Sequence, residues 1–276
     1  MRRSIATAAA LLAIVASAPH AAEAAKKKAG QRAPAAASPV VPQRAIDAIA
    51  SHDLAAAVLA LRDEPQSPRI NYIIRAATSI ALDEIGESPS RSEAHKHYQN
   101  LAVAYHNLFL FLKSHGTMDR GYFDKALKSY KKAKRAGTVL HKAECDLLSA
   151  ALHASMGERE KALKMFGKID DILLRSDFES MEYLAAYHAA MGDAAGACEA
   201  LAAAFRINPA GTVAWIEVGD DFHDIEDDPQ YRSLVASMSS SRNADDITLC
   251  VPPAEGPKLE MPEAGPAPAP KGKPRK

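Results

Sequence analysis

The chain has 276 residues, 47% of them hydrophobic but only 6% aromatic, and 34 basic side chains balance 34 acidic ones. That balance gives no bulk electrostatic case for nucleic acid. Cys145, Cys198 and Cys250 are too sparse, and odd in number, for a disulfide framework. With the apolar share carried by alanine and leucine, the composition favours helix over sheet.

The first residues read as a secretory signal peptide. Arg2 and Arg3 form a charged start, residues 5–18 form a short apolar run, and Ala22-Glu23-Ala24 is a small-residue cleavage pattern. The expected cut follows Ala24, which places the product in the periplasm or outside the cell. The run is short for a membrane span. Residues 25–43, rich in Ala, Pro and Lys, are expected to be a flexible linker. From 44 to 240 helical periodicity is nearly continuous. It predicts helices over 45–61 with a break at 51–53, then 70–85, 95–115, 124–136, 142–156, 160–173, 178–191, 194–207 and 229–238. Short connections between helices favour antiparallel neighbours. Residues 241–276 form a Pro-rich tail with a basic end, expected to be disordered.

Three stretches align: "GYFDKALKSYKKA" from Gly121, "GEREKALKMFGKI" from Gly157 and "GDAAGACEALAAA" from Gly192. Each places alanine at the same site (Ala126, Ala162, Ala197), a larger residue one helical turn on (Tyr130, Phe166, Leu201), and a further apolar residue beyond it (Ala133, Ile169, Ala204). Glycine permits the left-handed turn between two helices. The alanine admits close approach, and the larger neighbour fills the space beside it. The glycines stand 36 and then 35 residues apart; a helix-pair unit at such a period is the pattern of a solenoid, so the fold class is all-α, an antiparallel helix-pair solenoid over 44–240.

These residues resemble the tetratricopeptide repeat, most clearly over 143–209, where Ala185, Gly192, Ala197, Leu201, Ala204 and Pro209 follow its pattern. The segment 210–240 resembles the terminal cap of bacterial arrays of this kind, through Asp221, Phe222, Ile225, Asp227, Asp228, Pro229, Tyr231 and Leu234. The resemblance implies a protein or peptide partner on a concave face. It places that contact at Glu144, Leu147 and Ala151 in one unit and at Glu179, Glu182 and Ala186 in the next. None of these is basic, so the implied partner segment is neutral or basic rather than an acidic terminus.

No catalytic residue, metal or cofactor is expected. The acidic run Asp220, Asp221, Asp224, Glu226, Asp227 and Asp228 lacks the EF-hand spacing, and the cap accounts for most of it. His141 and Cys145 share a helix face, whereas His95 and His97 point apart, and spacing supplies no third ligand. Cys145 has no evident base beside it, and a Cys145–Cys198 bridge stays open. The lysine-rich helix 124–136 reads as a solvated face, or as a patch for an anionic envelope surface in an alternative tethering role.

Overall fold

The computed structural model describes residues 41–65, 67–84, 86, 89–169 and 177–241. The expected signal segment, nearly all of the linker and the tail beyond 241 lie outside these residues, as does Cys250. The described chain is all-α, with no strand among its residues. Its helices are α1 (Gln43–Ala50), α2 (Leu54–Arg62), α3 (Pro68–Asp83), α4 (Ala94–Ser114), α5 (Arg120–Ala136) and α6 (Val139–Ser155). There follow α7 (Arg159–Phe166), α8 (Phe178–Ala190), α9 (Ala194–Ile207), α10 (Pro209–Val218), a 3-10 turn (His223–Ile225) and α11 (Pro229–Ser240). The break at 51–53 divides α1 from α2 as the pattern requires. The helix expected over 160–173 ends at Phe166, and most of its remainder lies outside the described residues. Periodicity alone passes over α10, which Asn208 caps and Pro209 starts.

Helices pack as neighbouring antiparallel pairs: α1 with α2, α4 with α5, α6 with α7, α8 with α9. One backbone motif closes all four pairs. A residue with positive φ ends each first helix: His52 (60°), Gly116 (79°), Gly157 (82°) and Gly192 (70°). The next amide then donates back five residues, closing a six-residue turn: Asp53 to Ala48 (2.9 Å), Thr117 to Leu112 (2.8 Å), Glu158 to His153 (2.9 Å) and Asp193 to His188 (2.9 Å). This is the bonding of a Schellman turn, which satisfies carbonyls the helix end would orphan.

The first aligned glycine needs correction. Gly121 lies within α5 and its φ is not positive; Gly116 makes the turn instead. Thr117, Met118 and Asp119 lengthen this connection, so the glycine stands further from Ala126 than Gly157 does from Ala162. Conversely, the pair α1–α2 has no glycine at its turn. His52 takes the left-handed conformation there, stacked on Tyr122 at 4.3 Å and bonded to Asp119 at 3.1 Å.

The alanines at 126, 162 and 197 are each fully buried. Tyr130 and Leu201 are buried beside two of them, and Phe166 stacks on Tyr187 of the next pair at 4.3 Å. Two cores result. One spans α1 to α6 and the other spans α6 to the cap. Helix α6 belongs to both: Cys145, Leu148 and Leu152 enter the first core, and Leu147, Ala150, Ala151 and Ala154 the second. Cys145 and Cys198 are free thiols in different cores. Burial pushes their pKa values up, to about 12 and about 11, which leaves them inert.

Helix α3 has no partner of its own. It packs on α2 and α4, and also on α10, far along the chain. Arg69 at the start of α3 pairs with Asp220 beyond α10 at 2.5 Å, and Lys113 of α4 pairs with Asp224 of the cap at 2.5 Å. The array therefore curls until its first half meets its cap.

The turn and the contact point respond to different substitutions. A Cβ on Gly192 meets nothing within 4 Å. Gly192→Ala should thus cost only the backbone penalty, about 1–2 kcal/mol. Ala197→Leu should cost more, up to about 3 kcal/mol, through overpacking. Urea denaturation of both variants checks the order.

Candidate partner groove and its histidine corner

Helix α4 divides its sides by sequence. Leu101, Tyr105, Leu108, Phe109 and Leu112 are buried, whereas Lys96, Asn100, Val103 and Asn107 form a stripe at helical spacing on the other face. That stripe lines a groove of about 1070 Å³. Tyr72, Arg75 and Ser79 of α3 form one bank, and Thr138, His141, Glu179 and Tyr183 form the other. Arg75, Lys96, Asn100 and Glu179 are exposed.

Only one of the six expected contact residues, Glu179, lines this groove. Leu147 and Ala151 are 1% and 2% exposed and pack within the second core, where α6 meets α8, and Ala186 of α8 is buried as well, at 4%. They present no surface in the folded chain. Glu182 is half-buried deeper in the curl. Its carboxyl is pushed up to about 7, first by burial and then by the charges of Asp221 and Glu179. Asp221, which accepts a bond from the Trp215 indole at 3.2 Å, is raised to about 6, chiefly by burial and then by Asp220. Burial and these carboxylates together hold the Tyr72 hydroxyl well above its usual range.

Glu144, the sixth expected residue, is 6% exposed and takes part in a different arrangement. Thr138 caps α6: its hydroxyl accepts from the His141 amide (3.5 Å), and its own amide donates to His141 Nδ1 (3.2 Å). The His141 ring stacks on His95 of α4 with centroids 3.9 Å apart. His95 Nδ1 lies 3.0 Å from the Ala133 carbonyl, which can only accept, so the ring proton sits on Nδ1. His95 Nε2 is then a bare acceptor, buried and without a protein partner. Gln99 donates to Glu144 Oε2 at 3.3 Å. Burial raises the Glu144 carboxyl, and the Gln99 bond works against it. One ligand-type atom from each of His95, His141 and Glu144 lies within 4.8 Å of the others. Among the described residues no other three His, Cys, Asp or Glu side chains converge in this way. Spacing along the chain could not reveal this group, because His95 and Gln99 come from α4 and the other members from α6.

The charged segments singled out in the sequence are largely engaged. Asp220 and Asp224 make the closure pairs, Asp227 pairs with Arg232, Glu226 with His223, and Asp228 caps α11. On α5, Lys134 pairs with Asp146 at 2.6 Å and Lys132 lies over the Tyr98 ring at 4.5 Å. Lys128 and Lys131 are exposed. No family model, curated protein or solved structure matches the chain.

The interior carboxyls set a pH dependence. Glu182 has a folded pKa of about 7 against 4.5 ordinarily, so the folded state binds the extra proton between these values. Its contribution to stability is present at low pH and is lost as pH rises through about 7. Buried His106, bonded to the Tyr130 hydroxyl and lowered to about 3, has the opposite slope below about 6.5. The two oppose each other in mildly acidic solution, so the difference between variants is the clean measure. Thermal melts of Glu182→Gln should match the parent near pH ~4 and exceed it by a few degrees near pH ~8.

Proposed function

We propose that this chain is an exported, tetratricopeptide-like scaffold that captures an extended segment of a partner protein in the α3–α4–α6–α8 groove. Export rests on the paired arginines, the apolar run over 5–18 and Ala22-Glu23-Ala24. No helix among the described residues is long and apolar enough to cross a membrane. The observation that carries the binding role is the polar stripe of α4. Asn100 and Asn107 bear amides that can donate to and accept from a peptide backbone, as an extended ligand requires.

The charge of the groove selects the segment. Glu144 is buried and Glu182 is half-buried, with its carboxyl raised to about 7 and so only partly ionised near neutral pH, which leaves Glu179 as the exposed carboxylate of the expected set. Arg75 and Lys96 also line the groove. The segment proposed is therefore dipolar, with a basic side chain near Glu179 and an acidic group near Arg75 and Lys96. A neutral or basic segment, as the resemblance alone implies, would leave those two cations unused. The chemistry of this reading is recognition rather than catalysis. A tethering role through α5 is weaker support for function, because Lys132 and Lys134 already have contacts within the chain.

Crosslinking in the bacterial envelope followed by mass spectrometry identifies the captured segment. Lys96→Glu with Asn100→Ala, and separately Glu179→Lys, should each weaken its binding at least about tenfold. Lys128→Glu with Lys131→Glu should leave it unchanged. Full binding by both groove variants would overturn the groove assignment.

A further inference from the structure

We infer that His95, His141 and Glu144 form a binding site for one divalent transition-metal ion of the zinc class, with an open coordination position toward the groove. The site stands on its own geometry and does not rest on the partner-binding reading.

The donor set selects the ion. Two imidazoles and one carboxylate suit zinc and its neighbours, whereas calcium and magnesium prefer oxygen alone. Three protein ligands leave a fourth position vacant, the arrangement of an exchangeable or reactive site rather than a closed structural one. His141 lines the groove, as do His95 and Gln99, so the vacant position can be reached from solvent.

Separate features of the fold prepare these ligands. The Ala133 carbonyl fixes the His95 tautomer and leaves Nε2 bare, the outer-shell pattern of metal-binding histidines. Gln99 orients Glu144 in the same manner. Gly137 clears space for the rings: a Cβ there would lie 2.7 Å from the His141 Cβ and 2.8 Å from His95 Nδ1. Without an ion, a buried acceptor nitrogen has no donor, and a buried carboxyl has one amide. Both are costs that a cation removes.

Loading requires a small adjustment. The ligand atoms lie within 4.8 Å of one another, whereas bonds of about 2 Å to a tetrahedral ion bring ligands to roughly 3.3 Å. The stacked rings must tilt and Glu144 must swing toward them. His141 must also surrender the Thr138 amide, whether it binds through Nδ1 or shifts its proton there to bind through Nε2. That amide is exposed, so water replaces the lost acceptor at small cost. Glu144 releases whatever proton it holds, so affinity falls as pH falls.

The test uses the full chain, stripped with a chelator and titrated with Zn²⁺ by calorimetry and with Co²⁺ by visible absorption. The expected result is one ion per chain, with the intense d–d bands of a low-coordinate Co²⁺ site. His95→Ala and the nearly isosteric Glu144→Gln should each weaken binding at least about tenfold. His97→Ala, whose ring pairs with Asp83 instead, should leave it intact. Circular dichroism verifies that Glu144→Gln remains folded. Absence of binding, or binding undiminished by both His95→Ala and Glu144→Gln, would overturn the site.

Discussion

The groove depends on a closure between segments distant in sequence. Arg69 meets Asp220, and Lys113 meets Asp224, so α3 and α4 are drawn against α10 and the cap. A stack of helix pairs by itself has two free ends and an open inner face. Here that inner face is roofed over its middle, and Glu182, Asp221 and Tyr72 are enclosed where water is scarce. The same closure explains why the carboxyls of Glu182 and Asp221 are raised above the usual carboxylate range. The pairs are partly exposed, so each contributes modestly by itself. Their effect is geometric: they select one curvature of the array.

Local structure repeats more faithfully than sequence does. The left-handed turn with its six-residue bond appears at Gly116, Gly157 and Gly192, and again at His52, where no repeat motif is legible. Histidine at positive φ carries strain that glycine avoids. Stacking on Tyr122 and the bond to Asp119 compensate it, which ties the first pair to the second. In the two clearest units the turn is reinforced by a histidine one turn back. His153 bonds Glu158 and His188 bonds Asp193, at 2.7 and 2.8 Å. The triplets Met156-Gly157-Glu158 and Met191-Gly192-Asp193 are therefore the visible part of a longer clamp.

The helices and the packing alanines were legible because both follow from short-range periodicity. Gly157, Gly192, Ala162 and Ala197 do what their positions imply. The site was less legible. Leu147, Ala151 and Ala186 sit at positions that a generic array would expose, but all three are buried, the first two where α6 packs on α8. Lys96, Asn100 and Asn107 are plainly spaced on α4, but no repeat motif marks that helix as a binding face. The stripe of polar residues on an otherwise apolar helix was the available signal. His95 and Glu144 meet only through the packing of α4 on α6, which no pattern within either helix encodes.

The double allegiance of α6 has a mechanical consequence. Repeat arrays can lose units one at a time from an end, since each touches only its neighbours. Here one helix supplies Leu148 and Leu152 to one core and Leu147 and Ala151 to the other. Extracting it would empty both cores at once, and the cap is bonded back to α3 and α4 besides. The described residues thus behave as a keyed ring rather than a string of beads, and fraying from one end has no cheap first step. Whatever presses on the first turn of α6, at Thr138 and His141, is felt on both sides of the molecule.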